Sequence, residues 1–264
     1  MESTDTQNQH EARSLASYAA LKDTPSDNAG SPHQPQPSLT EKLENALKNI
    51  YCVSGLGADE RVFQKLKFEG YQPIHICWVE PHKGETIADY ARRLTTQIKS
   101  ERPILIGLSF GGMIAIEIAK QIATEKVILI SSTKNEQEVP FYFKIFRWLP
   151  IYRLLPAKLI LWLARFLASW FFSLETSDER KLFRAILYDT DARFMKWAID
   201  RVVTWKNKLI PNNTFHIHGK SDRIFPYRYV SEDFSVERGG HFMIMSQAEC
   251  VSNLIQKIVD LNLA

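Results

Sequence analysis

A chain of 264 residues, of which 45% are hydrophobic, is long enough to bury the core of one globular domain with additions. Its formal net charge of +3 is too small to imply a nucleic-acid partner. Three widely spaced cysteines, Cys52, Cys77 and Cys250, show neither metal-ligand spacing nor a C-x-x-C pair, which argues against a disulfide scaffold and for a reducing, cytoplasmic setting.

Residues 1–38 are polar, with Pro25, Pro32, Pro35 and Pro37 scattered among Ser, Gln, Asn and Gly. Such a segment buries too little apolar surface to offset its ordering entropy and is expected to be a disordered tail. It has no basic n-region and no apolar h-region, so it does not read as a secretory signal. A short helix is expected at about 39–47, N-capped by Thr40 or Ser38.

From Ile50 the pattern alternates. A strand at 50–54 leads through Ser54-Gly55-Leu56-Gly57-Ala58-Asp59 into a helix at about 59–67, for which Asp59 is the natural cap. A strand at 74–79 precedes a helix from Thr86 to about Lys99, with Ile87, Tyr90, Ala91, Leu94 and Ile98 on one face. A strand at 103–108, a helix at 111–123 and a strand at 127–131 complete a β-α-β-α-β series. Strands alternating with helices call for an α/β fold with a parallel, doubly wound sheet, whose function sits at the carboxyl ends of the strands. Cys52 and Cys77 fall in apolar strand runs and are expected to be buried.

Residues 134–208 change character, becoming helical, aromatic and apolar, and are expected as about four helices broken near Pro150 and Pro156. They divide a core made of residues 39–133 and 209–264. Between Phe141 and Leu174 stand Lys144, Arg147, Arg153, Lys158 and Arg165 and no acid. This composition suits an ordinary soluble covering first, with a surface that touches a membrane interface as the alternative. Pro156, Lys158 and Arg165 interrupt every window long enough to span. Asp189, Asp191 and Asp200 read as solvated or paired helix charges, and Trp197 and Trp205 as packing.

A strand at about 214–219 runs into a loop bearing Asp222, and nineteen residues later comes Gly239-Gly240-His241-Phe242 before the last helix. His216 and His218 lie within the strand and read as structural. Glu232 and Asp233 stand too close before His241 to rival Asp222. The most informative pattern is Gly107-Leu108-Ser109-Phe110-Gly111, a G-x-S-x-G pentapeptide between a buried strand and an apolar helix. A serine at such a turn is held in a strained conformation that lifts its hydroxyl above the sheet, and flanking glycines avoid collision with neighbouring backbone.

A small-residue loop, a serine, an aspartate and a histidine, each at a strand end and in that order, make the chain resemble the α/β-hydrolase superfamily over about residues 49–262. The resemblance implies a mostly parallel sheet of about six strands flanked by helices, with residues 134–208 as an inserted helical cap. It implies Ser109 as nucleophile, His241 as general base and Asp222 as the acid that orients it. The amides of Leu56 and Phe110 would form the oxyanion hole, and no metal or cofactor is required. The His-Gly pair of the family appears here as Ser54-Gly55, which keeps the glycine and loses an imidazole that braces the loop. The first two antiparallel strands of the family have no counterpart before Ile50. The function so implied is a serine hydrolase cleaving carboxylic esters of small-to-medium hydrophobic, or lipid-like, substrates. A lyase or acyltransferase on the same scaffold and a ligand-binding relative without turnover are the competing readings. Oligomeric state is not indicated.

Overall fold

Six short runs rich in Ile, Leu and Val build one sheet: β1 Lys48–Val53, β2 Tyr71–His75, β3 Ile104–Leu108, β4 Lys126–Ile130, β5 Thr214–Gly219 and β6 Phe234–Val236. The computed structural model describes residues 47–172 and 176–261, so the expected tail at 1–38 and the helix at 39–47, Leu47 apart, lie outside the described residues. The strand order is β2-β1-β3-β4-β5-β6 and every neighbouring pair is parallel. β3 and β4 are buried at every residue. Helices cover both faces of a parallel sheet, so its central strands read as unbroken apolar runs.

The two-residue period of each strand sorts these side chains into two cores. Ile50, Cys52, Ile104, Ile106, Ile128 and Ile130 point to one face, where Val251 and Ile255 of the last helix pack. Tyr51, Val53, Leu105, Val127 and Leu129 point to the other, against Tyr90, Leu94, Met113 and Ile116. Ile106 and Leu129 are fully buried, and truncating either to alanine costs about 2–5 kcal/mol.

Helix α1, Ile87–Leu94, starts where the Thr86 hydroxyl accepts from the Asp89 amide. Helix α2, Phe110–Ala119, is buried from Phe110 to Ile118. Between β4 and β5 lie α3 Phe141–Trp148, α4 Ala157–Phe171, α5 Ser177–Asp189 and α6 Ala192–Thr204. The breaks fall at Pro150 and Pro156 as expected. Thr176 and Glu179 form a capping box on α5, and the Asp191 carboxylate caps α6. Trp205, just past α6, donates its indole N–H to the buried Glu117 carboxylate of α2 at 2.8 Å and fastens the end of this helical segment to α2. Trp197 packs on Tyr90 with ring centroids 4.4 Å apart. Helices α7, Met243–Ser246, and α8, Ala248–Val259, close the described chain.

Three expectations are corrected, the first being the strand at 74–79, which runs instead at Tyr71–His75. The helix at 59–67 is a single 3-10 turn, Glu60–Phe63, capped by Asp59. The chain leaves it because the Lys67 amide donates to the Ser252 hydroxyl of α8, a tertiary partner in place of a helical carbonyl. Cys77 is exposed, whereas Cys52 is buried. β2 is an edge strand that ends at His75, and beyond it the Gln97 side chain takes up both the N–H and the C=O of Cys77, turning the thiol outward.

Candidate functional site

The chain forms β1, crosses to the sheet edge as β2 and returns to the other side of β1 as β3. The loops after β1 and β3 therefore flank the point where strand order reverses, which is where doubly wound sheets open a crevice. The first loop carries Leu56 and the second Ser109.

Ser109 has φ 53° and ψ −120°, a conformation that non-glycine residues adopt at a cost of about 1–3 kcal/mol. The surroundings over-determine it. Its amide donates to Ile130 O at 2.9 Å. Its carbonyl accepts from the Gly112 amide at 2.9 Å and from the Ser132 hydroxyl at 2.6 Å. A Cβ at Gly107 would lie 2.5 Å from the Gly111 carbonyl oxygen, and one at Gly111 would lie 2.2 Å from that of Ser54. Only glycine lets the strand, the turn and β1 approach this closely.

The three sequence-predicted side chains meet. His241 Nε2 lies 2.8 Å from Ser109 Oγ, and His241 Nδ1 lies 2.7 Å from Asp222 Oδ2. An ionised carboxylate only accepts, so Nδ1 carries the proton and Nε2 is free to accept from the serine hydroxyl. The other oxygen of Asp222 accepts from the Ile224 amide at 2.8 Å and the Phe225 amide at 3.0 Å, which fixes the carboxylate in its loop. Asp222 and His241 are both buried. Phe172 and Phe225 pack on the imidazole at centroid distances of 5.2 and 5.8 Å.

His216 and His218 stand behind Asp222. Phe225 O can only accept, so the His218 Nε2 that lies 2.8 Å from it carries the proton. His218 Nδ1 then accepts from His216 Nε2–H at 3.2 Å. Burial pushes His218 below its ordinary range, and burial together with the neighbouring His218 pushes His216 well below. Both stay neutral, and although His218 Nε2 comes within 3.7 Å of Asp222 Oδ2, it is no competing cation.

The loop after β1 presents the Leu56 amide, and the start of α2 presents that of Phe110. Among the described residues neither amide is spent on another hydrogen bond. Three other groups brace this loop, two of which sequence reading missed. The Ser54 hydroxyl donates to Ala58 O at 2.6 Å, the Trp78 indole donates to the same oxygen at 2.9 Å, and the Thr190 hydroxyl donates to Gly57 O at 2.8 Å. Ser54 stood out in the sequence as a departure. Trp78 and Thr190 carried no local signal, since they come from other loops. Glu232 bonds the Tyr227 hydroxyl, and Asp233 accepts from the His216 amide, so neither faces His241.

Above Ser109 lies a cavity of about 270 Å³. Among the described residues its only polar lining side chains are Ser109, His241 and Tyr142; helices α3 to α6 supply much of the remaining wall, including Phe143, Leu167, Phe183 and Ile199. The Tyr142 hydroxyl donates to Ile224 O at 2.8 Å, and burial, with the Asp222 charge behind it, pushes the phenol up to about 12. Among the described residues the wall is therefore uncharged around Ser109 and His241. Among the described residues no group of three or more His, Cys, Asp and Glu side chains is placed to hold a metal ion.

The sequence pattern of the alpha/beta hydrolase family matches residues 50–252. No curated protein sequence matches the chain. Solved structures match in fold. A bromoperoxidase from Bacillus anthracis is 17% identical, with 81% of this chain and 92% of that one covered and a TM-score of 0.61. A thermophilic esterase from Thermogutta terrifontis is 16% identical over 80% and 89%, TM-score 0.59. A hydrolase from Pseudomonas aeruginosa is 15% identical over 82% and 91%, TM-score 0.63. At such identities the likeness speaks to the fold alone.

Proposed function

The chain belongs to the alpha/beta hydrolase family, and from that premise we propose that it is a serine hydrolase cleaving carboxylic esters of small-to-medium hydrophobic substrates. The observation that carries this reading is the unbroken hydrogen-bonded line from Ser109 Oγ through the His241 ring to Asp222, at the floor of an apolar cavity.

The chemistry follows from the protons. His241 Nε2 takes the Ser109 proton as Oγ attacks the ester carbonyl, and Asp222 stabilises the imidazolium and holds its tautomer. Negative charge builds on the former carbonyl oxygen, where the Leu56 and Phe110 amides serve as donors, each worth about 3 kcal/mol in systems of this kind. The tetrahedral intermediate collapses, His241 returns its proton to the departing alkoxide, and an acyl group remains on Ser109. Water, deprotonated by His241, then attacks the acyl carbon; as the acid leaves, the bond to Ser109 Oγ breaks and His241 returns that proton to it. The apolar wall selects substrates whose acyl or alcohol part is hydrophobic.

The test is labelling with a fluorophosphonate probe, followed by peptide mapping, on the wild-type chain, Ser109→Ala and His241→Ala. The expected result is an adduct on Ser109 that both substitutions abolish, with acid and alcohol as the products of p-nitrophenyl ester turnover. A folded wild-type chain that forms no adduct would sink the nucleophile assignment. An adduct without acid release would replace hydrolysis by acyl transfer or elimination.

A further inference from the structure

Two helices of the insertion each combine an exposed apolar ridge with a neighbouring face that lines the Ser109 cavity. On α3 the ridge is Phe141, Ile145 and Trp148, spaced by four and three residues, and Trp148 is 87% exposed. The adjoining Tyr142 and Phe143 line the cavity. On α4 the ridge is Leu159, Trp162 and Phe166, with Phe166 75% exposed and its ring stacked on Trp162 at 6.0 Å. At 3.6 residues per turn, Lys158 and Arg165 flank that ridge on one side and Leu167 flanks it on the other. Leu167, itself partly exposed, lines the cavity. Going round α4, cations give way to aromatic rings, and the rings give way to the cavity wall.

The charges of this segment are one-sided. Arg153 pairs with Asp200 and Arg147 approaches Glu136. Lys144 reaches only the Gln137 carbonyl, and Arg165 donates to the carbonyls of Leu187 and Tyr188. With Lys158 they make three cations that have no carboxylate partner among the described residues. Exposed aromatic rings beside cations that lack a carboxylate partner among the described residues match a phospholipid interface, in which rings sit at headgroup depth and cations meet phosphate. Spanning is excluded for α4: fifteen residues make about 22 Å, short of the roughly 30 Å of a hydrocarbon core. No helix among the described residues is long and apolar enough to cross a membrane.

We propose that the exposed face of α3 and α4 docks in the plane of an anionic phospholipid bilayer, setting the mouth of the apolar cavity against the lipid surface. The rings of Trp148, Trp162 and Phe166 enter the headgroup region, and Lys144, Lys158 and Arg165 hold the anionic surface. This docking stands apart from the chemistry assigned to Ser109 and is read by binding alone.

The experiment is co-sedimentation of the full chain with vesicles of phosphatidylcholine alone, or with about one-third phosphatidylglycerol, at low and high salt. The wild type is expected to sediment with the anionic vesicles, less so at high salt, and to remain largely in solution with phosphatidylcholine. Lys144→Gln with Lys158→Gln is expected to weaken binding roughly 30-fold. Trp162→Ser with Phe166→Ser is expected to weaken it roughly 100-fold. None of these four side chains lines the cavity. An unchanged circular dichroism melt then separates lost docking from lost folding. Failure to bind anionic vesicles, equal binding to both vesicle types, or equal binding of wild type and both double variants would overturn the proposal. So would a dimer in ultracentrifugation that ignores vesicles and is dissociated by Trp162→Ser with Phe166→Ser, because a second copy would then be the occupant.

Discussion

The loops at the carboxyl ends of β1, β3 and β5 and the helices between β4 and β5 solve opposite problems. In the loops, polar atoms are met from several sides: Asp222 accepts from two amides and one imidazole, and Ser109 is held by Ile130, Gly112 and Ser132. The helices between β4 and β5 add mostly apolar surface to the cavity and leave large rings unburied on their outer side. On the proposed function, the loops need no reorganisation when charge develops, and the helices shape and admit a hydrophobic molecule. Pre-organisation requires hydrogen bonds with fixed geometry, whereas recognition of an alkyl or aryl group requires only shape and dryness.

Substitutions in the two regions should therefore differ in kind. The largest effect is expected at Asp222→Asn, which keeps an acceptor for the Ile224 and Phe225 amides but loses the charge facing His241. A fall of about 10⁴-fold in kcat with an unchanged fold is the expected result. A loss smaller than tenfold in steady-state ester hydrolysis would remove Asp222 from its role. Next comes Ser54→Ala. Trp78 still donates to Ala58 O, so the loop stays folded, but one brace of the Leu56 amide is gone. A 10- to 100-fold drop in kcat with KM little altered is expected, and a change confined to KM would contradict a positioning role.

A wall residue should behave otherwise. Ile199→Trp fills part of the cavity from α6. It should leave kcat/KM for acetyl esters nearly unchanged and lower it about tenfold for the longest acyl chain the wild type accepts, near the contact energy of two methylenes. A uniform loss across the series would blur the division between the regions. The smallest effect concerns pH. Burial keeps His216 and His218 below the ordinary value of 6.5, so below that pH the unfolded chain binds protons that the folded chain refuses. Stability is then fully present above pH 6.5 and declines on acidification, by up to about 1.4 kcal/mol per pH unit for each histidine. Guanidinium midpoints at neutral and mildly acidic pH should show a smaller pH-dependent difference in His216→Gln than in the wild type. Equal slopes would clear the pair of that role.

What the sequence determined by itself was whatever is written locally. Unbroken runs such as Ile104–Leu108 specify strands buried on both faces, and the glycines of G-x-S-x-G specify close backbone approach. Asp222 and His241 were legible because each follows a strand or a glycine turn. Features made by distant segments were not. The single turn at Glu60–Phe63 looked like a longer helix until the Ser252 hydroxyl of α8 claimed the Lys67 amide. Cys77 read as core until Gln97 ended the edge strand. Two braces of the loop after β1, Trp78 and Thr190, lie about 20 and 130 residues from the carbonyls they hold. Periodicity and turn chemistry are short-range and survive in one dimension. A hydrogen bond between segments far apart in the chain exists only once folding has brought both groups to the same few cubic ångströms, and there the tertiary structure alone decides.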